Sequence, residues 1–158
     1  MSAVENLIAS YVRGAVDLRA AIAGMSREQI AARPVPGRMS TLEVVCHIAD
    51  FDAILAERMK RIIALGDTPL ILAADENLLL KELRYDDRDA EEELTLIEMT
   101  RKQMARILRT LTPEHFQKTG VHTQKGLITL EKVVQNAVNH IVHHLPFIHE
   151  KQKALGLK

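Results

Sequence analysis

Apolar residues recur at helical spacing along almost the whole chain. In the first segment they step by three or four positions, at Val4, Leu7, Ile8, Tyr11, Val12, Ala15, Leu18 and Ile22. Such a stripe is typical of an amphipathic helix that buries one face. We therefore predict a helix over residues 3–24, closed by Gly24. Strand patterns are nearly absent, so the sequence favours an all-α fold.

Helix-terminus signals predict three further long helices. Ser40 and Glu43 have the S-x-x-E form of a capping box and open a helix that runs to about Leu65. Acidic residues from Asp87 onward favour a helix N-terminus and predict a helix over about 89–111. Thr129 caps a last helix that reaches about Leu155. Shorter helical segments are expected in "SREQIAARP" and within 70–84, and an irregular approach is expected at 118–128.

These elements predict one domain over residues 1–158. Four helices of roughly 22–27 residues, with a long connection between the second and third, describe a four-helix bundle with one crossover. The length suits a single hydrophobic core.

Composition narrows the possible partners and the compartment. Lys and Arg number 21, as do Asp and Glu, and this balance argues against a protein that binds nucleic acid through a basic face. Cys46 is the single cysteine, which excludes an intrachain disulfide and a cysteine-rich zinc module and fits a reducing cytoplasm. The sequence shows neither a signal-peptide pattern nor an apolar run of membrane length. We expect a cytoplasmic protein without membrane contact.

Three histidines carry the strongest functional signal. His140 and His144 are four residues apart on the predicted last helix, so their side chains project side by side. His47, on the predicted second long helix, lies beside an apolar stripe and offers a third imidazole. A hydrogen-bonded core histidine is the commoner explanation for each one singly. Burying three neutral imidazoles without a shared partner is costly, however, and this favours a metal site.

Other metal motifs fail on residue type. The zinc protease motif H-E-x-x-H requires a glutamate where Ile141 stands, so the motif supplies no general base. The paired E-x-x-H motifs of di-iron bundles are absent from the inward faces.

Residues around the histidines have two interpretations each. Asp50, three positions after His47, is either a carboxylate that supports this ligand or a surface group paired with a neighbouring base. Arg58 and Arg101 could receive an anionic substrate, although a structural role is favoured for Arg58. His122 is a weak substrate-side candidate. We assign His143 to a dimer contact or the surface, His149 to the solvent and Cys46 to packing.

Two long stretches resemble a known family. "STLEVVCHIADFDAILAERMKRII" and "GLITLEKVVQNAVNHIVHHLPFIHEKQKALGL" are similar to the histidine-bearing helices of the DinB/YfiT-like superfamily of metal-dependent enzymes. The resemblance implies a four-helix bundle in up-down-down-up order and a homodimer. It also implies a divalent metal, zinc or nickel, held by His47, His140 and His144. Met39, where the family often has an aromatic residue, and Pro146, inside the last helix, depart from the pattern.

The same resemblance implies a function. Characterised relatives are S-transferases and isomerases that use small thiols such as bacillithiol, mycothiol or glutathione. We therefore expect a metal-dependent S-transferase whose partners are a small thiol and a small electrophilic substrate. Two alternatives stay open, namely a metal-dependent hydrolase that activates water and a metal- or ligand-binding bundle without turnover.

Overall fold

The fold is a bundle of four long helices with short elements between them. The computed structural model describes residues 2–66 and 68–157, and in this part the chain forms six α-helices. They are α1 (Ala3–Ile22), α2 (Arg27–Ala31), α3 (Thr41–Ala64), α4 (Glu76–Glu82), α5 (Ala90–Leu108) and α6 (Leu130–Ala154), with 3-10 turns at Tyr85–Asp87 and Pro113–Gln117. The predicted four-helix bundle and its helix order are confirmed. None of the helices in the described ranges is both long enough and apolar enough to cross a membrane.

The helices follow an up-down-down-up order. Helices α1 and α3 each pack against both α5 and α6, so α1 and α3 are diagonal partners. Gln152, near the end of α6, donates a hydrogen bond to the carbonyl of Ala21, near the end of α1, so these two helices run in the same direction. Arg88, just before α5, binds Asp50 in the first half of α3, and Lys60, near the end of α3, binds Gln103, near the end of α5. Helices α3 and α5 are therefore parallel, and the segment containing α4 is the crossover that connects them.

The predicted capping box fixes the start of α3. The Ser40 hydroxyl accepts a hydrogen bond of 3.0 Å from the amide of Glu43, and the Glu43 carboxylate accepts one of 2.7 Å from the amide of Ser40. These bonds satisfy two N–H groups that a helix N-terminus leaves without intrahelical partners. Helix α3 thereby begins six residues before His47. Helix α6 continues through Pro146 to Ala154, as the apolar period predicted.

A buried arginine connects all four long helices. Arg101 is 1% exposed and donates hydrogen bonds to the Asp52 carboxylate on α3, to the Tyr11 carbonyl on α1 and to the Ala137 carbonyl on α6. Gly14 on α1 makes room for this side chain, because a Cβ there would lie 2.6 Å from Arg101 Nη1. The sequence left two roles open for Arg101, binding of an anionic substrate and a structural role. These contacts give it the structural role.

The described chain also forms a small three-stranded sheet that the sequence patterns did not predict. Strand β1 (Leu70–Ile71) pairs in parallel with β2 (Thr119–His122), which forms an antiparallel hairpin with β3 (Gly126–Thr129). The expectation of an irregular segment at 118–128 is therefore wrong. Strands of two to four residues are too short to show alternation in the sequence. The sheet is a minor addition to the helical bundle.

Candidate functional site: three convergent histidines

Neighbouring antiparallel helices bring the three predicted histidines together. His47 lies near the N-terminus of α3, while His140 and His144 are four residues apart on one face of α6. The side chains of His47 and His144 are buried, with 3% and 8% of their surface exposed, and that of His140 is half-buried. The capping box fixes where α3 begins, so it also sets the height of His47 beside α6.

The three imidazoles face one another through their Nε2 atoms. Nε2 of His140 lies 2.9 Å from Nε2 of His47 and 3.3 Å from Nε2 of His144. Every pair of rings has a centroid separation of 4.8 Å, and the interplanar angles are 68°, 74° and 84°. Three rings thus surround one point with nearly equal spacing, each presenting a nitrogen toward it.

The donor set fits a divalent cation. Two imidazoles that bind one ion at about 2.0–2.1 Å in a tetrahedral arrangement have nitrogens about 3.3–3.4 Å apart. The pair formed by His140 and His144 has this separation, and that formed by His47 and His140 is a few tenths of an ångström shorter. Three neutral imidazoles leave further coordination positions for a substrate, as in catalytic zinc sites.

Burial keeps these histidines neutral. Burial, together with the charges of neighbouring histidines, lowers the pKa of His140 and of His144 to about 3. Burial also lowers the pKa of His47, although the charges of Glu76 and Asp50 oppose this shift. A metal ligand must be an unprotonated imidazole. The site therefore presents its nitrogens in the binding form at neutral pH without competition from protons.

Packing rather than a second hydrogen bond orients two of the rings. Nδ1 of His140 and Nδ1 of His144 are buried and have no hydrogen-bond partner among the described residues. Metal-binding histidines commonly donate this second N–H to a carboxylate or carbonyl. Here Phe51 lies against His47 and His140, at 4.7 and 5.4 Å between ring centroids, and Phe147 lies 6.2 Å from His144.

Asp50 contacts an arginine instead of His47. Its two carboxylate oxygens each accept a 3.0 Å hydrogen bond from Arg88, which also donates to Glu93. No hydrogen bond joins Asp50 to His47 within the part of the chain that the structure describes. Asp50 therefore affects His47 through its negative charge, which opposes the lowering of the His47 pKa.

The other residues singled out from the sequence lie in different environments. Arg58 donates a 2.7 Å hydrogen bond to the Leu72 carbonyl, so it ties α3 to the crossover, which is the structural role favoured from the sequence. His122 is buried in β2, where its Nδ1 accepts from the amide of Gln124, and it does not join the cluster.

Three further residues singled out from the sequence differ in their exposure. His143 is exposed at the site, 5.1 Å between ring centroids from His144, and His149 is exposed as expected. Cys46 is buried and donates to the Tyr85 carbonyl, which confirms its packing role.

A cavity of about 430 Å³ opens onto the histidines. Its walls come from α3, α4, α6 and the segment before α3, and it is lined by Gly37, Arg38, Met39, Val44, His47, Glu76, Asn77, Leu80, His140, His143, His144, Phe147 and Lys151. This volume lies within the range of small-molecule sites. Arg38 and Lys151 were not among the predicted site residues. Lys151 could have been found, because it is seven residues after His144 and so lies on the same face of α6.

A larger recess lies elsewhere on the surface. It measures about 620 Å³ and is lined by residues of α1, α2 and the start of α5. Arg19 and Glu91 in its lining form an ion pair, and the recess holds none of the three histidines. The cavity beside the histidines is therefore the candidate site.

The fold and the site together define a class of protein, namely up-down-down-up helical bundles whose core histidines form a centre suited to a divalent cation. The model of the DinB superfamily matches residues 11–148, and the chain belongs to that superfamily.

Two curated bacterial proteins are similar along most of the chain. A protein of Oceanobacillus iheyensis is 28% identical over 131 residues, which cover 83% of this chain and 75% of that protein. YfiT of Bacillus subtilis is 28% identical over 140 residues, which cover 88% of this chain and 78% of that protein. Both carry names that propose a metal-dependent hydrolase.

Solved structures agree with this placement. The structure of YfiT, described as a probable metal-dependent hydrolase with an unusual four-helix bundle topology, matches with a TM-score of 0.90 at 25% identity, over 100% of this chain and 91% of YfiT. The mycothiol-dependent maleylpyruvate isomerase matches with a TM-score of 0.72 over 92% of this chain and 60% of that protein. At 10% identity this second likeness shows the fold alone.

Proposed function

We propose that this protein is a metal-dependent enzyme that bonds the sulfur of a small thiol to an electrophilic carbon of a second substrate, as the thiol loses its proton and the second substrate its leaving group. His47, His140 and His144 hold the cation, which is zinc or nickel. The observation that carries the proposal is the convergence of the Nε2 atoms of three neutral imidazoles at the wall of a ligand-sized cavity. A hydrogen-bonded histidine cluster alone would not require all three nitrogens to share one point.

The protein's own residues supply position and environment. His47, His140 and His144 would hold the cation as neutral ligands, and its charge would lower the pKa of a thiol or a water bound there to supply the nucleophile. Phe51 and Phe147 pack against the imidazoles and limit the water around them. Asp50 contributes negative charge near His47 without a hydrogen bond to it, and Arg88 holds the Asp50 carboxylate in place.

An external thiol is required because the protein's own cysteine is unsuited to the reaction. Burial raises the pKa of Cys46 to about 12, and its Sγ donates to the Tyr85 carbonyl. The thiolate is the reactive form of cysteine, so Cys46 is inert near neutral pH. The mycothiol dependence named for one structural neighbour supports a thiol as the second substrate.

Hydrolysis is the second candidate function. The names of both curated relatives favour it, and the same three histidines would activate water in place of a thiol. A bundle that binds a metal or ligand without turnover is the third. These candidates differ in what the loaded protein consumes, and this can be measured directly.

The experiment begins with elemental analysis of protein purified without an affinity tag. We expect close to one divalent ion per chain, and loss of that ion in His47→Ala, His140→Ala and His144→Ala. His149→Ala is the matched control, since His149 is an exposed histidine on the same helix. A wild-type protein that binds no divalent metal would contradict the proposal.

Activity then separates the candidates. The metal-loaded protein is supplied with a small thiol and an aryl halide, or with an ester and no thiol. Consumption of both thiol and halide supports transfer, whereas ester cleavage without thiol supports hydrolysis. Full metal occupancy with neither reaction supports the binding module.

We also propose that the protein works as a homodimer in the cytoplasm. The family resemblance supports the homodimer. The single cysteine supports the cytoplasm, because a lone cysteine leaves no intrachain disulfide to require an oxidising compartment. Sedimentation equilibrium measures the oligomeric state, and a monomer at micromolar concentration would contradict the proposal.

A further inference from the structure

One wall of the histidine cavity carries a buried lysine without a carboxylate partner. The side chain of Lys151 is 2% exposed, yet the residue lines the cavity. Its Nζ donates one hydrogen bond, of 2.9 Å, to the Phe147 carbonyl in the preceding turn of α6. An ammonium group has three donors, and lysine is almost never fully buried unless it is paired.

The nearest acidic candidates are already engaged or exposed. Burial lowers the pKa of Lys151 and the charge of Glu43 opposes this shift, but the Glu43 carboxylate accepts hydrogen bonds from Arg33 and from the Ser40 amide. Glu150 is exposed at the adjacent position of α6. Among the described residues, Lys151 forms no ion pair within 4.0 Å. Its charge is therefore available to a group inside the cavity.

A second cation stands at the rim of the same wall. Arg38 is exposed in the segment before α3, lines the cavity, and holds its guanidinium 5.4 Å from the centroid of the Phe147 ring. Phe147 thus lies between the two cationic residues, because its carbonyl accepts from Lys151 and its ring packs against Arg38. Within the described chain Arg38 has no carboxylate partner, unlike the neighbouring Arg33.

Helical geometry aligns Lys151 with the histidines. It follows His140 by eleven residues and His144 by seven, which returns it to the same face of α6, about 10 Å along the axis from His144. A small molecule in the cavity can therefore reach the Nε2 cluster with one end and Lys151 with the other. The cavity volume of about 430 Å³ accommodates such a molecule.

We propose that Lys151 and Arg38 form a carboxylate-binding subsite, which holds the acidic end of a substrate whose reacting end lies at the three histidines. The ammonium provides a point charge and the guanidinium a planar pair of donors that matches a carboxylate. The carboxylate belongs either to the thiol or to its electrophilic partner. This inference deepens the proposed function and rests on it for the identity of the reacting end.

The first test measures anion binding without any metal. Malonate is titrated into metal-free protein and followed by the amide resonances of residues 37–39 and 144–152. We expect saturable binding that weakens at least tenfold in Lys151→Met and severalfold in Arg38→Gln. Lys153→Met, an exposed lysine on the same helix, is the matched control and should bind malonate as the wild type does. Arg38 is exposed, so its substitution keeps the test valid if Lys151→Met does not fold.

The second test places the carboxylate on one of the two substrates. Cobalt-loaded protein is titrated with mercaptoacetate and with 2-mercaptoethanol, which share a thiol and differ in the carboxylate. A tenfold preference for mercaptoacetate that disappears in Lys151→Met assigns the subsite to the thiol. Equal binding of the two thiols, with malonate binding alongside 2-mercaptoethanol, assigns it to the electrophile.

The two proposals fail in different ways. Wild-type protein that does not bind malonate, or Lys151→Met that binds it as tightly as Lys153→Met, overturns the subsite whatever the metal content. Wild-type protein that binds malonate but no metal leaves the subsite standing and overturns the proposed function.

Discussion

Asp50 and Arg88 are joined by two hydrogen bonds of 3.0 Å, and this pair connects α3 to the segment that leads into α5. Arg88 extends the network to Glu93 in the first turns of α5. The network lies next to the histidine centre, because Asp50 is less than one helical turn from His47. The Asp50 carboxylate is thus part of the contact between α3 and the segment before α5 and does not hydrogen-bond to His47.

This arrangement predicts that Asp50→Asn weakens the fold more than the metal site. Loss of a charged partner of Arg88 should lower the free energy of unfolding by about 1–3 kcal/mol. Metal affinity should fall less than tenfold, whereas loss of a direct hydrogen bond to a ligand costs about 10–100-fold. Denaturant unfolding and competition with a chelator measure the two effects. A hundredfold loss of metal affinity would contradict the structural role of Asp50.

Added metal should stabilise the wild-type protein. Binding to the folded state alone contributes about 2.7 kcal/mol when the free metal is a hundredfold above its dissociation constant. The melting temperature should therefore rise with zinc in the wild type and in His149→Ala, and fall again with a chelator. His144→Ala should show a much smaller rise. Equal rises in all three proteins would mean that zinc acts elsewhere.

The metal-free protein should lose stability as the pH falls below about 6.5. The pKa of His140 and that of His144 are about 3 in the folded protein, while an unfolded histidine titrates near 6.5, so the unfolded state binds more protons between these values. The contribution of these two histidines to stability is thus complete above about pH 6.5 and is lost progressively as the pH falls toward 3. Between pH 7.5 and 5.5 each histidine should contribute about 1 kcal/mol of loss. Urea unfolding at both pH values measures it, with His144→Asn expected to show a smaller change.

Breaking the buried ion pair of Arg101 and Asp52 should be costly. Arg101→Met leaves the Asp52 carboxylate buried without its partner, and such a change typically destabilises by about 3–5 kcal/mol. The double variant Arg101→Met/Asp52→Leu removes both charges and should recover part of the loss. If the double variant lost more free energy of unfolding than the two single variants together, an unpaired buried charge would not be the cause of the destabilisation.

Gly14→Ala should destabilise through the same arginine. The added Cβ would lie 2.6 Å from Arg101 Nη1, so the guanidinium must shift from its carbonyl partners on α1 and α6. In an Arg101→Met background this conflict is removed, and the cost of Gly14→Ala should shrink. A double-mutant cycle measures the coupling. Additive effects would show that the contact is relaxed without energetic consequence.

The sequence predicted the helices and the three histidines because both depend on local patterns. A capping box such as that of Ser40 and Glu43 marks a helix start within a few residues. Residues four apart on a helix share a face whatever the rest of the chain does. The apolar period also predicted correctly that α6 continues past Pro146.

Features that depend on pairing across the chain could not be predicted. Arg88 is 38 residues from Asp50, and nothing in the local sequence of either indicates the other. The same holds for β1 and β2, whose register joins Leu70 to Val121. The spacing of Lys151 from His144 predicts its face of α6, but its burial depends on packing against other parts of the chain and could not be predicted.

The small sheet closes the bundle at the end farthest from the cavity. Strand β1 follows the last turn of α3, and β3 leads directly into α6, so the hairpin tip at residues 123–125 lies near helix ends that are about 25 Å along α3 from His47. The tip is exposed. A fluorophore or a surface tether attached at Gln124 would leave the opening of the histidine cavity, at the other end of the bundle, unobstructed. Single-molecule or immobilised assays of this protein are therefore practical.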